Sequence, residues 1–432
     1  MSNHDVHTLV VGAGMGGVCA AARLAAAGQE PLLVERASVV GGRASSFTKD
    51  GYVINTGAVA IEFGGVMEQT CTELGVDLAA LLRCPEPANV FRVKSKTVNP
   101  AKGGWAFLLD KITKKGAGVL AGLGSARKGD LPEEQQTLEQ WIAGATSNET
   151  VHRLFRNLAA AIFAVNADEI PARAFLTYFT QKGAFRRFGF SPTGTVAVCQ
   201  AIADAAVRDG AEVWTDSEVV RLHVEDGAVR AATIRRGGGE VEVRCDAVVS
   251  NVGPVATIDL VGAEHLDPAY VARTRGRSRP SANIIIHVAS DEPLLDCPGL
   301  IVFSSTDRLC NAGNMTATCP ELAPEGKHLT VVYAVPRPAI GDFDEEQEVR
   351  LALKELAREF GATPHEVLDV RVMRGDWPAQ RAASGYELPR EFPLDNVWQV
   401  GDGVRDYGSG GTQACAETAR DVVEEMLGRV AA

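Results

Sequence analysis

Several common sequence signatures are missing from this chain of 432 residues. The nine cysteines form no CxxC pair, and their odd number argues against a disulfide framework. The eight histidines show neither HxxxH nor HExxH spacing, so the sequence predicts no metal site. A GxSxG segment is absent as well. Neither a metal enzyme nor a hydrolase with a nucleophile elbow is therefore indicated.

Long apolar runs and an excess of basic charge are also missing. No stretch is apolar over a length that could span a bilayer. The formal net charge is −12, so nucleic acid is not an expected partner. Hydrophobic residues make up 46% and aromatic residues 6%, as in globular proteins. The first predicted strand begins near residue 7, which leaves no room for a secretory signal, so we expect a cytoplasmic protein.

A glycine-rich segment near the amino terminus has the pattern of a dinucleotide-binding turn. A buried parallel strand is predicted over residues 7–11, and the sequence GAGMGG then leads into a predicted helix over residues 18–27. The glycines permit a tight turn, a close approach of the backbone to a pyrophosphate, and close packing of the helix on the strand. The predicted contacts in this turn are Gly12, Gly14, Met15, Gly16 and Gly17.

An acidic residue follows at the distance that this motif requires. A second strand is predicted over residues 31–34 and ends in Glu35, whose carboxylate would accept hydrogen bonds from a ribose. The alternative is a glycine-rich turn between strand and helix that binds no ligand. The flanking strand, the helix and Glu35 together favour the dinucleotide site.

The residues after Glu35 carry a resemblance to a known family. Arg36 is followed by the GGR stretch Gly41, Gly42 and Arg43, and this resembles the FAD-dependent superfamily of phytoene desaturases, amine oxidases and protoporphyrinogen oxidases. The resemblance implies that the arginine and the glycine backbone contact the FAD pyrophosphate and the flavin edge. Residues 51–57 resemble the segment under the flavin ring, with Gly57 and Ala58 as implied contacts, although Asn55 stands where the family more often has Asp.

Two later segments extend the resemblance. A strand over 396–400 ends in Gly401 and Asp402, which the resemblance places at the ribityl chain and its phosphate. A helix over 412–427 follows. Gly411, just before this helix, and Thr412, its first residue, are implied flavin contacts. In the middle of the chain, Val219 is the implied adenine contact.

The predicted fold is α/β, with a Rossmann-like FAD-binding domain and an inserted α+β substrate domain. The FAD-binding domain combines a parallel sheet with a β-meander whose turns are Asp226-Gly227 and the glycine run 237–239. The last meander strand is predicted over 240–243, and a separate strand-like stretch over 246–251 ends in Asn251. We assign residues 1–66, 191–254 and 391–432 to this domain. Residues 67–190 and 255–390 form the predicted substrate-binding lid, with helices over 67–82, 105–119, 137–143, 151–165 and 172–179 in its first part.

Candidate residues for catalysis and substrate binding are fewer. Arg405 and Tyr407, beside the flavin loop, are the catalytic candidates; Arg405 could orient a substrate or simply pair with Asp406. Trp377 and His287 are the substrate-binding candidates, and each could equally be a packing residue.

The predicted reaction follows from the cofactor. The resemblance is nearest to the phytoene desaturase branch and implies hydride transfer between flavin N5 and a carbon–carbon bond of a small, largely apolar substrate, with an unspecified electron acceptor or donor. Oxidation of a C–N bond, as in flavin amine oxidases, is the first alternative. Gly410 and Gly411 replace the aromatic residue usual before the last helix in those enzymes. Residues 281–288 also contain no lysine that could form a lysine–water–N5 bridge. Both absences weaken the amine oxidase alternative without excluding it.

Two further alternatives and one surface remain open. The chain could be a binding protein similar to the GDP-dissociation inhibitors, or a nicotinamide dehydrogenase that uses only the amino-terminal motif. Residues 102–128 interleave lysines and arginines with apolar residues, a pattern of either a peripheral membrane contact or a solvated helix face.

Overall fold

Helices and strands alternate through most of the chain. A computed structural model describes residues 4–93, 96–99, 124–126, 128–180 and 187–430. The described α-helices are α1 (Met15–Ala26), α2 (Val66–Glu73), α3 (Leu78–Leu81), α4 (Leu138–Ala145), α5 (Glu149–Phe163), α6 (Ala172–Thr180), α7 (Val196–Arg208), α8 (Pro254–Val261), α9 (Pro268–Arg277), α10 (Glu345–Phe360) and α11 (Gly411–Val430).

The strands form two large sheets, one small hairpin, and one two-stranded pair of segments distant in the chain. The described strands are β1 (His4–Val11), β2 (Leu32–Val34), β3 (Ser46–Lys49), β4 (Tyr52–Asn55), β5 (Ile61–Glu62), β6 (Asn89–Val93), β7 (Lys96–Val98), β8 (Phe188–Gly189), β9 (Glu212–Trp214), β10 (Ser217–Glu225), β11 (Ala228–Arg236), β12 (Gly239–Ser250), β13 (Asn283–Ser290), β14 (Leu300–Phe303), β15 (Leu309–Asn314), β16 (His328–Ala334), β17 (His365–Met373) and β18 (Val397–Gln399).

The first sheet has the order β10-β11-β12-β1-β2-β9, and β18 also pairs with β12. The pairs β12-β1, β1-β2, β2-β9 and β12-β18 are parallel, whereas β10, β11 and the first half of β12 form an antiparallel meander. Strand β12 serves both parts, because residues 239–244 pair with β11 and residues 248–250 pair with β18. The sequence pattern predicted two separate strands here.

Three helices cover one face of this sheet. The alanine-rich helix α1 is buried along almost its whole length, because it lies between the sheet and helices α7 and α11. A helix that is apolar on every side is stable only when other elements enclose it. On the other face of the sheet, residues of β1 and β2 form one core with residues of the meander strands, α8 and α9.

The second sheet has the order β17-β13-β16-β15-β14-β6-β7, and all its pairs except β14-β6 are antiparallel. Side chains of β13 alternate between its two faces: Ile284 and Ile286 pack with helix α10, and Ile285 packs with the residues behind hairpin β3-β4. Helix α5 packs on β14 and β15. The α/β fold class predicted from the sequence is confirmed.

Local predictions differ from the structure at several points. The helix predicted over 67–82 is interrupted between α2 and α3. Gly75 has a φ of +70° there, and this left-handed conformation ends a right-handed helix. Strands β15 and β17 and helices α8 and α9 were not predicted. The helix predicted over 105–119 and most of the basic stretch lie outside the described residues. Among the described helices, none is both long and apolar enough to cross a bilayer.

Candidate active site

The glycine-rich turn between β1 and α1 is packed so closely that side chains are excluded. A Cβ on Gly17 would lie 2.0 Å from the carbonyl oxygen of Gly12. A Cβ on Gly14 would lie 2.8 Å from Nδ2 of Asn251, which donates a hydrogen bond to the Gly12 carbonyl at 3.2 Å. Helix α1 therefore begins directly against the ends of β1 and β12, where its free N–H groups can meet a phosphate.

The Glu35 carboxylate is held at the end of β2 by backbone groups. Its Oε2 accepts a hydrogen bond from the Ala13 N–H at 2.7 Å, and its Oε1 accepts one from the Ala37 N–H at 2.9 Å. The side chain is buried. Each oxygen keeps a second lone pair, so the fixed carboxylate can still accept a ribose hydroxyl.

The two ends of the chain meet at this turn. Gly401 follows β18, and its backbone N and Cα would each lie 3.1 Å from a Cβ on Gly16. Asp402 forms an ion pair with Arg43, with Nη2–Oδ1 and Nη1–Oδ2 distances of 2.5 and 2.8 Å. Burial alone would raise the pKa of the Asp402 carboxyl, but the Arg43 guanidinium outweighs this and holds the pKa below its ordinary value.

One cavity of about 640 Å³ connects these groups. All the predicted cofactor-binding residues line it except Gly17 and Gly401, which lie beneath its wall. The lining residues from that prediction are Gly12, Gly14, Met15, Gly16, Glu35, Arg36, Gly41, Gly42, Arg43, Gly57, Ala58, Val219, Asp402, Gly411 and Thr412. Their individual contacts with a cofactor stay predictions.

Part of the cavity lining comes from residues outside the predicted cofactor set, and we call this part of the cavity the chamber. Tyr333 of β16 connects the two sets of lining residues, because its hydroxyl donates a hydrogen bond to the Gly57 carbonyl at 2.7 Å. Burial raises the pKa of the Tyr333 phenol well above its ordinary value, so the hydroxyl stays protonated. The chamber is lined by small and apolar side chains together with a few polar ones: Ala160, Ala161, Ile162, Ala164, Leu300, Val335, Phe188, Asn311, Tyr178 and Glu62.

Asn55, where the family more often has Asp, supports the site from outside the cavity. Its buried Oδ1 accepts hydrogen bonds from the Ser46 hydroxyl at 2.7 Å and from the Thr195 N–H, before helix α7, at 2.9 Å. The amide thereby joins hairpin β3-β4 to α7. Both bonds use only the acceptor oxygen, which Asn and Asp share.

The two catalytic candidates differ in position. Arg405 lines the cavity, but its guanidinium donates hydrogen bonds to Gln380, the Ala382 carbonyl, Ser384 and the Asp402 carbonyl. Its ion-pair partner is Glu387, with an Nε–Oε1 distance of 3.7 Å, and not the expected Asp406. These contacts give Arg405 a structural role, and a catalytic one stays a prediction.

Tyr407 packs against the α5–α6 cluster and does not line the cavity. Its buried hydroxyl has no hydrogen-bond partner among the described residues, and burial raises the pKa of the phenol to about 12. A catalytic role for Tyr407 stays a prediction.

The two substrate-binding candidates also separate. Trp377 lines the cavity, and the Arg36 guanidinium lies 5.9 Å from the centre of its ring. His287 lies elsewhere, buried within β13, where neither ring nitrogen has a hydrogen-bond partner in the part of the chain that the structure describes. Burial lowers the pKa of His287 to about 3, so the ring is neutral. His287 does not line the cavity and is a core residue.

Several site residues escape the sequence analysis. The sequence pattern marks Asn251 only as the end of a strand, although its side chain lies among Gly14, Gly16 and Gly401. Its position at the carboxyl end of a parallel strand, where ligands of α/β sheets bind, is a usable signal. No local pattern points to Arg381 or to the alanines of α5, because these residues reach the cavity only through the tertiary structure.

The site fits FAD. Close packing excludes side chains from the phosphate-binding turn, and the Glu35 carboxylate is fixed at the end of β2, where a ribose is expected. Val219, Asp402 and Gly411, the residues predicted to contact adenine, the ribityl chain and the flavin, all line the same cavity. This fold and this site define a flavin-dependent oxidoreductase. The model of the family of flavin containing amine oxidoreductases matches residues 15–427, and the chain belongs to this family. Membership of this family makes the chain an FAD-dependent oxidoreductase. It therefore favours an enzyme over a binding protein similar to the GDP-dissociation inhibitors.

Individual proteins similar to this chain are oxidoreductases as well. A phytoene dehydrogenase of Streptomyces griseus is 25% identical over 99% of this chain and 94% of its own length. The crystal structure of an oxidoreductase from Methanosarcina mazei has a TM-score of 0.85 and 27% identity, over 97% of this chain and 100% of that chain. A putrescine oxidase redesigned in cofactor binding has a TM-score of 0.75 and 16% identity, over 99% of this chain and 100% of that chain, a likeness in fold alone.

Proposed function

We propose that this enzyme oxidises or reduces a carbon–carbon bond of a small, largely apolar substrate. The observation that carries the proposal is the chamber wall, in which Ala160, Ala161 and Val335 supply apolar surface and free space beside Gly57. An apolar substrate gains free energy in such a wall at about 25 cal/mol per Å² of buried surface. When bound, FAD supplies hydride transfer at its N5 atom.

The chain's own groups orient the substrate and exclude water. Tyr333 donates its one O–H to the Gly57 carbonyl and stays protonated, so toward a substrate it acts as a wall residue or a hydrogen-bond acceptor and not as a base. Glu62 is the carboxyl group on the chamber side, and it accepts a hydrogen bond from the Tyr178 hydroxyl at 2.6 Å. Glu62 is therefore the group we propose to hold a proton released from the substrate.

Two features support a carbon–carbon bond over a carbon–nitrogen bond. Gly410 and Gly411 line the cavity, and the space beside Gly411 is open where the amine-oxidising members of the family usually have an aromatic ring. Strand β13 begins with Asn283, which lines the cavity and is not a lysine. The name of the Streptomyces relative, phytoene dehydrogenase, points the same way.

Oxidation of an amine is the second candidate. Glu62 and the rings of Tyr178 and Tyr333 face the same cavity, and a carboxylate among aromatic rings can bind an ammonium group. The test must therefore include amines beside apolar substrates.

Anaerobic bleaching of the bound flavin by a panel of isoprenoids, cyclic enones and amines tests the proposal. We expect an isoprenoid to bleach the oxidised flavin, or a cyclic enone to reoxidise the reduced flavin. Ala161→Phe should block the chamber and abolish this reaction while the flavin spectrum is retained, whereas Ala143→Phe, at an exposed position of α4, should leave it intact. Bleaching by amines alone would establish the second candidate.

A further inference from the structure

Two arginines in the cavity wall have no carboxylate partner among the described residues. Four arginines line the cavity. Arg43 pairs with Asp402, and Arg405 pairs with Glu387. No ion pair or side-chain hydrogen bond joins the guanidinium of Arg36 or Arg381 to any of the residues that the structure describes. The wall thus carries positive charge that the protein itself does not neutralise by direct contact.

Arg381 is set firmly into this wall. Its backbone N–H donates a hydrogen bond to Oδ2 of Asp402 at 2.9 Å. Its side chain passes over Gly253, where a Cβ would lie 2.8 Å from Cδ and 3.4 Å from both Nε and Nη1 of Arg381. The backbone of Gly253, with a φ of +93°, thereby leaves room for the arginine stem.

The surroundings of Arg381 are electrostatically unfavourable for a cation. Its Nε atom is buried and has no hydrogen-bond partner among the described residues. Burial and the like charges of Arg43 and Arg36 outweigh the carboxylates of Asp402 and Asp376 and lower the pKa of Arg381 to about 10. Asp376 also lines the cavity, but it forms no ion pair with a described residue. Such a buried, unpaired guanidinium is costly unless an anion meets it.

The chemistry of the missing anion follows from its neighbours. The cavity joins Arg381 to the N-terminus of α1, to Arg43 and to Arg36, which are donors that suit phosphate oxygens. A guanidinium binds phosphate through two parallel N–H groups. We propose that Arg381 binds the diphosphate of FAD. This arginine lies outside both glycine-rich segments of the chain.

This contact has a structural consequence. Residues on either side of Arg381 are bonded to the beginning of the second sheet: the Ser281 N–H donates to the Gln380 carbonyl at 3.0 Å, and the Ala379 N–H donates to the Ser281 carbonyl at 2.8 Å. Strand β13 starts two residues later and brings Asn283 to the cavity. Binding of the diphosphate by Arg381 therefore fixes residues 379–381 and, through Ser281, the start of β13.

Titration of the flavin-free protein with FAD, ADP, adenosine and riboflavin tests the proposal. For Arg381→Gln we expect the dissociation constants of FAD and ADP to rise about 10- to 100-fold, because one charge-assisted contact is lost. Adenosine and riboflavin lack a diphosphate, so their constants should stay within about twofold. Arg381→Lys should recover part of the affinity, since it keeps the charge but not the paired N–H geometry.

A matched control and a second measurement complete the test. Arg83→Gln removes an exposed arginine that pairs with Glu321, and all four dissociation constants should be unchanged. The affinity for FAD should also decrease less steeply with added KCl in Arg381→Gln than in the wild type, because one charge contact is missing. Equal weakening of adenosine and ADP would show that Arg381 only supports the fold. Unchanged FAD affinity, or an unchanged salt dependence, would overturn the proposal. Since ligand binding and no turnover is measured, the result is independent of the proposed substrate.

Discussion

Arg43 and Asp402 lie 359 positions apart in the chain and form a bidentate ion pair in the wall of the cofactor cavity. Arg43 also donates to the carbonyl of Ala379 at 3.2 Å, so this one side chain joins the amino-terminal segment, the segment before Arg381 and the carboxy-terminal segment. The pair is largely shielded from water, with side-chain exposures of 23% for Arg43 and 10% for Asp402. Removal of one partner should therefore cost more than it would in an exposed ion pair, because the other charge would be left shielded from water without a partner.

Replacement of Asp402 by Asn should destabilise the protein in a pH-dependent way. The folded-state pKa of Asp402 is lowered, so its ionised carboxylate stabilises the fold above the unfolded-state pKa of about 4, and this contribution decreases as the pH falls below that value. We expect Asp402→Asn to lose about 2–3 kcal/mol at neutral pH, with a smaller difference from wild type near pH 3. Urea unfolding of the flavin-free protein between pH 3 and 7 measures this. A difference that is constant over the whole range would contradict the ionised pair.

Replacement of Gly17 by Ala should displace α1 from β1. The new Cβ would lie 2.0 Å from the Gly12 carbonyl oxygen, so helix and strand must separate, at a cost of about 3 kcal/mol and with loss of FAD affinity. Gly428→Ala is the matched control, because a Cβ added to this glycine of α11 would have no atom within 4 Å. That change should stabilise the helix by up to about 1 kcal/mol. Thermal unfolding and FAD titration distinguish the two variants, and similar behaviour of both would refute the close contact.

Asn55 should be replaceable by Asp but not by Ala. Its Oδ1 accepts from Ser46 and from the Thr195 N–H, and Asp keeps both acceptors. We expect Asn55→Asp to remain within about 1 kcal/mol of the wild type and Asn55→Ala to lose about 2 kcal/mol, since a buried N–H is left unpaired. Urea unfolding of both variants at neutral pH is the measurement. Equal destabilisation by Asp and Ala would show that the amide N–H₂ group is needed as well.

Tyr407→Phe should leave activity unchanged and stabilise the fold. The buried hydroxyl of Tyr407 has no hydrogen-bond partner within the described ranges of the chain, so its removal relieves a desolvation cost of about 1 kcal/mol. The ring would still fill its place against the α5–α6 cluster. Turnover and the unfolding midpoint are measured together. A large loss of turnover with an intact flavin spectrum would restore the catalytic role that the sequence predicts for Tyr407.

The cofactor half of the site could be read from sequence because its chemistry is local. The turn from Gly12 to Gly17 requires small residues at fixed spacing, and Glu35 follows at the end of the next parallel strand, so each constraint is visible within one βαβ unit. The same local reasoning was wrong for the helix over 67–82, where it extended the helix through Gly75. It also divided β12, whose two halves pair with different neighbours.

The sequence by itself determined that this chain binds a dinucleotide and that its two glycine-rich ends belong to one α/β fold. Only the tertiary structure decided which residues outside the first sheet and the glycine-rich segments line the cavity. Arg381, Tyr333 and the alanines of α5 occur in segments with no motif, and they become neighbours only when β13, β16 and α5 pack around the cavity. Periodicity shows that a side chain is buried, but which of several buried faces borders a cavity depends on packing between elements distant in the chain.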